Sequence, residues 1–454
     1  MNHSKSSLTE GPVFANLLRF ALPILLGSIV TQLYNVADSV IVGRFVSSDA
    51  LAAVSACSPS TNFINMFLVG LSTGSNVVIA QRVGAKDRDA LQKALGSIAC
   101  LTLFSSLLLT VTGLIITKPL LTLLGTPELI FNDSVRYMSV IFLGTTGNIV
   151  YQMGSGALRG MGDSTRPFLF LLGCSILNVV LDLAAVIFLD MGVLGVAIAT
   201  AVSQMVSGIG IIMLINGGRY GVTLRLNQLK VDMKELKLVV GIGLPAAIQN
   251  VGNTIAAICV QSSVNVFGPD FIASNSIVTK VDDMINIPVV ALSTALCTFV
   301  GQNMGNYDMT RIKKGINSSI ASLCGLGVVM TGFIIAMRRI LPRMFTDNID
   351  VIDYASVGLF IMSFQCLFHG IDRCLVNAMR GAGKSVVPMI TAQFGAFSRI
   401  PLAYFLGRKP FNFKGIFFAM LIASFLRTAA ISFYYYCGGW KKAVAGFEAS
   451  HGKK

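Results

Sequence analysis

Charged residues are scarce in this chain of 454 residues: Asp, Glu, Lys and Arg make up 12% of it, while apolar residues make up 54%. A soluble domain usually carries about 25% charged residues, and the mean hydropathy here is +0.73. The chain therefore lacks the polar surface that a water-facing globule needs. These values exclude the disordered, collagenous and ordinary soluble classes of protein.

Paired cysteines are also missing from the sequence. The nine cysteines are scattered, mostly inside apolar runs, and none forms a C-x-x-C pair. This pattern is typical neither of a zinc site nor of a disulfide framework, so we interpret them as small packing residues. The polar residues within the apolar runs form no Ser/His/Asp, Cys/His or zinc constellation, and we expect neither an enzyme nor a bound cofactor.

Long apolar runs dominate what is present. Twelve of them reach the roughly 20 residues that a helix needs to cross a bilayer, and they are longer and more continuous than the roughly 10-residue strands of a membrane barrel. The predicted fold class is therefore an all-α membrane protein with twelve transmembrane helices. The predicted spans are 14–42, 50–78, 92–117, 135–157, 167–189, 193–215, 238–265, 272–299, 315–336, 351–378, 386–406 and 415–437.

The basic residues predict the orientation in the membrane. Of the 35 Lys and Arg residues, 22 lie in the N-terminus, the even-numbered loops and the C-terminal tail, and nine in the odd-numbered loops. Because cytoplasmic loops are enriched in Lys and Arg, we expect both termini in the cytoplasm and the protein in the plasma (inner) membrane. Membrane orientation and contact with anionic lipid then explain the formal net charge of +14. We therefore expect no nucleic-acid partner.

An internal repeat divides the chain. Residues 157–162 recur as 378–383, and Pro167 recurs as Pro388, each 221 positions on. Six spans per half is an even number, so both halves enter the membrane in the same sense, which predicts two pseudo-symmetric six-helix bundles in a parallel repeat. The predicted domains are an N-terminal bundle (1–215), a cytoplasmic connector (216–236) and a C-terminal bundle with its cytoplasmic tail (237–454).

A set of acidic and polar residues occurs in the spans of the first half, and the matching positions of the second half carry no acid. A carboxylate at mid-membrane costs about 2.5–3.5 kcal/mol on insertion scales, which indicates a functional role. Asp38, Asp182 and Thr200 lie at similar depth, counting from the outer ends of their spans, and Asn178 shares a helix face with Asp182. We predict that Asp38, Asn178, Asp182 and Thr200 form one cation site.

The chemistry of these four side chains leaves the cation open. Carboxylate, amide and hydroxyl oxygens suit a hard cation such as Na⁺. A proton is equally suitable, because burial and a neighbouring like charge both favour a protonated carboxyl group. The other interpretation is a helix cap or an interhelical hydrogen bond with no part in binding.

Further polar residues inside the spans are candidates for the wall of a substrate cavity. Lys280 and Asp283 in span 8, and His369 and Asp372 in span 10, either line a water-filled cavity or form ion pairs near helix ends. The predicted cavity residues are Gln32, Tyr34, Asn62, Asn65, Lys280, Asp283, His369 and Asp372.

A proline stands early in the first span of each half, at Pro23 and Pro245. Proline removes one backbone hydrogen bond and permits a kink. We interpret both as helix-bending residues, with a static kink or a bend that changes with conformation as the alternatives.

One segment imitates a nucleotide-binding loop. Residues 381–385 resemble the end of a phosphate-binding loop, but Ala378 stands where that pattern needs glycine, and no strand precedes it. We therefore expect no nucleotide partner and interpret the segment as a cytoplasmic turn.

Taken in order, these motifs resemble the multidrug and toxic compound extrusion (MATE) family over about residues 14–437. The resemblance implies two six-helix bundles around a central cleft that opens alternately to either side. It also implies export of amphipathic, often cationic compounds in exchange for Na⁺ or H⁺, with no enzymatic activity. The segments that carry it are Leu22-Pro23, Ala37-Asp38-Ser39, Gln81-Arg82-Val83-Gly84, residues 157–163 and the pair Asn178 and Asp182.

The resemblance also assigns residues. Its cation site in the N-terminal bundle corresponds to Asp38, Asn178, Asp182 and Thr200, and its bending proline to Pro23. Some branches of the family carry an acidic residue in span 7, where residues 249–253 here contain none, so we do not expect a second cation site in the C-terminal half. The expected partners are small-molecule substrates and membrane lipid, and the expected state is a monomer.

Two other transport functions are compatible with the sequence. A lipid-linked saccharide flippase has a related architecture, and Lys280, Arg373 and Arg399 are candidates for its basic, pyrophosphate-binding cleft. An uptake symporter would move its cation and its substrate in the same direction.

Overall fold

The computed structural model describes residues 8–218, 220–224, 230–408, 410–442 and 444–445. Within these ranges the chain is helical and contains no β-strand. Short π-helices, Ala184–Phe188 and Tyr435–Gly439, extend α5 and α13. The thirteen α-helices of the described ranges are α1 (Val13–Phe45), α2 (Ser48–Gly84), α3 (Arg88–Leu123), α4 (Glu128–Gly160), α5 (Thr165–Leu183), α6 (Gly192–Asn216), α7 (Met233–Asn265), α8 (Pro269–Gly305), α9 (Met309–Met337), α10 (Ile349–Ser363), α11 (Gln365–Gly381), α12 (Val386–Leu406) and α13 (Phe413–Tyr434).

Every predicted span coincides with one helix or with a pair of consecutive helices. Nine of the described helices are long and apolar enough to cross a membrane, and the number becomes ten if the bent pair α10 and α11 is one span. The remaining helices, α4 and α12, are 33 and 21 residues long and are not among these candidate spans. The predicted fold class, an all-α membrane protein with repeated halves, is confirmed.

The predicted span 351–378 is not one continuous helix. It is divided into α10 and α11, which are bent by 45° relative to each other. The hydroxyl of Thr331, on α9, donates a hydrogen bond of 2.9 Å to the carbonyl of Ser363, while the Leu367 N–H turns to the Phe364 carbonyl. A side chain that takes over a helical carbonyl in this way is a known cause of kinks.

The repeat seen in the sequence is kept by the helices. The first residues of α2 and α8 (Ser48 and Pro269) are 221 positions apart, and the same spacing separates the starts of α3 and α9, of α5 and α12, and of α6 and α13. The bent pair α10 and α11 occupies the place of α4, since the ends of α4 and α11 are also 221 positions apart. Both halves therefore repeat one order of helices.

The repeated acidic residues in the turns have a local explanation. Asp87 precedes α3, and its side chain accepts a hydrogen bond of 3.0 Å from the Ala90 N–H. Asp308 precedes α9 and accepts one of 2.9 Å from the Arg311 N–H. Each carboxylate satisfies a free N–H group at a helix start, which explains why the repeat retains Asp at this position.

Contacts divide the chain into two compact units. Unit 1 contains residues 22–244, and unit 2 contains residues 8–21 and 245–454. The division falls next to Pro23 within α1 and at Pro245 within α7, whereas the predicted boundaries fall in the connector, 216–236. Those sequence boundaries stay a prediction.

The first turns of α7 belong to unit 1 because they pack against α2. Arg82 and Glu235 form a buried ion pair with a bond of 2.7 Å between Nη2 and Oε1. One turn later along α7, the Val239 carbonyl oxygen lies only 2.2 Å from the position that a Cβ atom on Gly74 would occupy. Only glycine permits this approach of α2 and α7.

The segment before α7 is described in part. Asp232 accepts hydrogen bonds from the backbone N–H groups of Lys234 and Glu235, at 2.9 and 3.2 Å. The hydrogen bond from the Glu235 N–H is the main reason that the pKa of Asp232 lies below its ordinary value. The predicted connector also includes residues 219 and 225–229, which lie outside the described ranges, as do the following basic residues used to predict orientation: Lys5, Arg219, Arg225, Lys409, Lys453 and Lys454.

Small residues set the spacing of the helices in unit 1. A Cβ atom on Gly156 of α4 would lie 2.6 Å from the Ser72 carbonyl of α2, and one on Gly147 would lie 2.5 Å from the backbone of α6. Close approach through glycine is typical of helix packing in membranes. Large apolar side chains on α3, including Leu107 and Ile115, are instead two-thirds exposed, as expected for a face against lipid.

Candidate functional site

The four residues of the predicted cation site come together inside unit 1. Asp38 lies on α1, Asn178 and Asp182 lie one turn apart on α5, and Thr200 lies on α6. Asp182, Asn178 and Thr200 are 0%, 2% and 5% exposed. Asp38 is half-buried. Residues up to 162 positions apart in the sequence are therefore brought into one cluster, which we call the carboxylate cluster.

Asn178 lies at the centre of the carboxylate cluster. The amide orientation that satisfies its neighbours lets the nitrogen donate to Asp38 Oδ1 and Asp182 Oδ2, each at 3.1 Å. The amide oxygen then accepts from the Thr200 N–H at 3.3 Å. One neutral side chain thus bridges the two acids and fixes them to α6.

The two acids are also direct neighbours. Asp38 Oδ1 and Asp182 Oδ2 both lie 3.1 Å from the Asn178 amide nitrogen, so the two carboxyl groups are close together. The Tyr34 hydroxyl lies near Asp38 and Thr200. Asp182 Oδ1 is buried without a donor. Two ionised carboxylates this close repel each other, so ionising both of them is unfavourable.

No basic side chain neutralises the carboxylate cluster within the described residues. The ion pairs found there join Arg82 to Glu235, Arg166 to Asp163 and Arg427 to Asp372. Asp38 and Asp182 are thus left with amide and hydroxyl partners only. The described residues also contain no group of three or more His, Cys, Asp or Glu side chains that could hold a metal ion.

Two tyrosines extend the carboxylate cluster beyond the predicted set. Tyr34, whose role as a cavity residue stays a prediction, lies near Asp38 and Thr200. Tyr137, on α4, lies close enough to Asp38 and Asp182 for their charges to act on it. It was not among the predicted site residues. The repeat contained a signal for it, because position 358, 221 residues later, is a glycine.

A break in helical regularity follows the carboxylate cluster directly. The α-helix α5 ends at Leu183, one residue after Asp182, and continues as the π-helix Ala184–Phe188. The matching helix α12 remains α-helical to Leu406. Short π-helical turns are frequent at functional sites, and here one directly follows Asp182, whereas the equivalent position on α12 is α-helical.

The other predicted residues of unit 1 are not part of this cluster. Gln32 and Asn62 are exposed, and Asn65 accepts a hydrogen bond of 2.8 Å from Asn148. Pro23 lies within α1, next to the point where the helix passes from unit 2 to unit 1. Its bending role stays a prediction, as does that of Pro245 in α7.

The predicted residues of unit 2 fall into two groups. Lys280 and Asp283 are exposed and form no ion pair with each other within the described ranges; the Lys280 ammonium lies 5.7 Å from the ring centre of Phe345. His369 forms two hydrogen bonds: Nδ1 lies 2.9 Å from Asn286 Oδ1, and Nε2 lies 2.7 Å from Gln365 Nε2.

Asp372 is buried and is held by Arg427. Arg427 Nε and Nη2 lie 2.9 and 2.7 Å from the two carboxyl oxygens of Asp372. The Nε contact is a charge-assisted hydrogen bond, and the Nη2 contact is a close ion-pair distance. Of the two interpretations offered for Asp372, the structure contains the ion pair.

A family model described as MatE matches two segments of the chain, residues 23–184 and 245–405. Together the matches cover more than half of the chain, and they begin at Pro23 and Pro245. Each match therefore corresponds to one repeat.

Several known proteins are similar over nearly the whole chain. "Probable multidrug resistance protein YoeA" of Bacillus subtilis is 27% identical over 440 residues, which are 95% of each chain. "Probable multidrug resistance protein NorM" of Thermotoga maritima is 26% identical over 94% of this chain and 93% of its own. A protein named "FAD transporter" from Shewanella oneidensis is 23% identical over 82% of this chain and 83% of its own.

Solved structures share the fold. A MATE protein crystallised in the bent conformation has a TM-score of 0.90 at 21% identity, over 99% of both chains. An outward-facing multidrug resistance MATE family transporter of the MOP superfamily has a TM-score of 0.88 at 22% identity, over 99% of this chain and 100% of its own.

Proposed function

Because the chain belongs to the MatE family, whose members are transporters, we propose that it is a cation-coupled antiporter that exports amphipathic, often cationic compounds by alternating access. The observation that carries this proposal is the close approach of Asp38 and Asp182 around the Asn178 amide in unit 1, with no ion pair to a basic side chain among the described residues. The names of relatives as multidrug resistance proteins support drug export. We place the protein in the plasma membrane as a monomer with both termini in the cytoplasm and without nucleotide, nucleic-acid or cofactor partners.

The carboxylate cluster suggests how a cation would drive the cycle. An external Na⁺ or H⁺ relieves the repulsion between Asp38 and Asp182, with Asn178, Thr200 and Tyr34 as neutral ligands or donors around it. A ligand shifts a conformational equilibrium only through different affinities for the two states. Since α1 carries both Asp38 and Pro23, binding at Asp38 is linked covalently to the helix that passes between the units. Occupancy by the cation then disfavours the outward, drug-bound state.

The test uses the protein in proteoliposomes with an imposed Na⁺ or pH gradient and a fluorescent cation such as ethidium as cargo. We expect Asp38→Asn and Asp182→Asn each to lower gradient-driven efflux by at least tenfold. Asp133→Asn, which removes an exposed acid of α4, serves as the matched control and should retain wild-type efflux. Undiminished, still gradient-dependent efflux in both cluster variants would reject the site.

The coupling ion is assigned by varying one gradient at a time. With the membrane potential clamped, Na⁺ and pH gradients are imposed separately on the wild type and on Asp182→Asn. Antiport requires that efflux follow an inward gradient of the coupling ion and stop when that gradient is reversed. Flux in the same direction as the cation would instead indicate a symporter.

The alternative function is that of a lipid-linked saccharide flippase. The observation in its favour is that Arg373 and Arg399, candidates for a pyrophosphate-binding surface, form no ion pair within the described residues. Rescue of a flippase-deficient strain, with no change in its drug susceptibility, would favour this alternative over drug export.

A further inference from the structure

Unit 2 contains a polar cluster at the place that the repeat assigns to the carboxylate cluster. The residue 221 positions after Asn178 is Arg399, and the positions matching Asp38 and Asp182 are Cys259 and Ala403. Where unit 1 has two acids and a bridging amide, unit 2 therefore has a guanidinium and no acid. The summed charge of these three positions is therefore negative in unit 1 and positive in unit 2.

Three further arginines accompany Arg399. We call the four residues the arginine cluster: Arg373, Arg380, Arg399 and Arg427, on α11, α12 and α13. Arg373 and Arg427, together with the acids Asp282 and Asp372, lie near enough to Arg399 to act on its charge.

Two of the four guanidinium groups already have partners. Arg427 is held by both oxygens of Asp372, and Arg380 donates to Gln249 Oε1 at 2.7 Å. The remaining nearby acid, Asp282, accepts from the Asn286 amide at 3.1 Å. Asp282 lies near Arg373 and Arg399, but none of the ion pairs of the described residues joins it to either arginine.

Arg373 and Arg399 are accordingly the cations of the cluster without a partner. Both side chains are half-buried, neither forms an ion pair in the described part of the chain, and Arg399 Nε is buried without a hydrogen-bond acceptor. Four guanidinium groups face two carboxyl groups, and the exposed pair Lys280 and Asp283 adds no net charge. Unmatched charge inside a membrane protein is unfavourable unless something compensates it.

We propose that unit 2 binds an oxyanion of the transported compound, a carboxylate or a phosphate, at Arg399 and Arg373. This inference rests on the proposed export function, because the anion is assigned to the cargo. Guanidinium is planar and always charged, and it binds carboxylate and phosphate through two parallel hydrogen bonds. The exported compounds then include zwitterions and anions, with the cation site in unit 1 and the anion site in unit 2.

The test measures binding of two matched pairs of fluorescent probes to the full-length protein in nanodiscs of phosphatidylcholine. FMN and riboflavin differ by one phosphate, and rhodamine 110 and its methyl ester, rhodamine 123, differ by one free carboxylate. For each pair, fluorescence anisotropy gives the ratio of the two dissociation constants. The proteins compared are the wild type, Arg399→Gln, Arg373→Gln, Arg399→Lys and, as a charge-matched control, Lys313→Gln, an exposed residue of α9.

In the wild type we expect the anionic probe of at least one pair to bind about tenfold more tightly than its partner. Arg399→Gln and Arg373→Gln should lower that ratio about tenfold, Lys313→Gln should leave it unchanged, and Arg399→Lys should keep part of it. A wild type that prefers neither anionic probe overturns the proposal, as do ratios within about twofold of wild type in both Gln variants. Thermal melting of each variant, with Arg399→Lys as the charged reference, separates lost binding from lost folding.

The source of the anion is separated in a further arm. Replacing a fifth of the lipid by phosphatidylglycerol should leave the preference intact. A preference that disappears in that lipid assigns the site to lipid headgroups and overturns its assignment to cargo. Failure of the proposed function has a different signature, namely no gradient-driven efflux of rhodamine 123 in proteoliposomes while the binding preference is retained.

Discussion

At the scale of single residues, equivalent positions of the repeat have been given opposite chemistry. Asn178 bridges two acids in unit 1, whereas its equivalent in unit 2 is the cation Arg399, and the equivalents of the two acids are Cys259 and Ala403. The acids were found from the sequence because a carboxylate within a span is unusual. Arg427, the partner of Asp372, was not found, because a contact across 55 positions leaves no local pattern.

Asp372→Asn is expected to destabilise unit 2, because it leaves the buried Arg427 charge without its counter-ion. Breaking one side of a buried pair costs about 3–5 kcal/mol, whereas replacing both members by apolar residues is often neutral. Thermal unfolding in detergent should therefore show a large loss for Asp372→Asn and recovery in the double variant Asp372→Leu/Arg427→Met.

Asp353→Asn, an exposed acid of α10, is the control and should melt like the wild type. If Asp372→Asn also melts like the wild type, the pair has no structural role. Loss of efflux in a well-folded double variant would instead indicate that Asp372 takes part in transport.

At the scale of helices, hydropathy predicted where the helices lie along the chain, but it did not predict where a helix is interrupted. All twelve spans coincide with helices because a length of about 20 apolar residues is a property of the local sequence. The division of span 10 at Phe364 depends on Thr331, which lies on another helix. The π-helix after Asp182 likewise has no counterpart in the repeat, so neither irregularity was visible as a local pattern.

Gly74→Ala is expected to separate α2 from the start of α7. The new Cβ atom would lie 2.2 Å from the Val239 carbonyl, so the backbones must shift, at a cost of about 1–3 kcal/mol. Thermal melting of the purified protein measures this loss. Gly241→Ala, on α7 itself, is the matched control, since nothing lies within 4 Å of its Cβ position.

The control is expected to be stabilising by about 0.5–1 kcal/mol, as alanine is in most helix interiors. Equal melting temperatures for the two variants would mean that α2 and α7 are not in the contact described here.

At the scale of the whole molecule, the sequence predicted two repeated halves but not the way contacts distribute them. The repeat was legible because a spacing of 221 positions recurs in many motifs. The division at Pro23 and Pro245 could not be predicted from the sequence, because it depends on which helices the first turns of α1 and α7 contact. Arg311 shows this directly: its guanidinium donates to the carbonyls of residues 8, 10 and 11.

The predicted orientation is tested by cysteine labelling. In a variant whose nine cysteines are replaced and which retains efflux, Lys384→Cys and Lys118→Cys are introduced singly at exposed positions. Because Lys and Arg are enriched on the cytoplasmic side, an impermeant maleimide should label position 384 only in inside-out vesicles. Position 118 should be labelled only in right-side-out vesicles, and the reverse pattern would contradict the predicted topology.

The exchange of opening turns has an evolutionary consequence. Residues 8–21 belong by contact with the second repeat, and residues 233–244 with the first, so neither repeat encodes a complete folding unit. An ancestor with a single repeat would have formed this unit only as a dimer whose two copies exchanged their first helical turns. Gene fusion would then have kept the exchange within one polypeptide. Fragments divided between residues 225 and 229 should accordingly assemble when produced together and fail when produced alone.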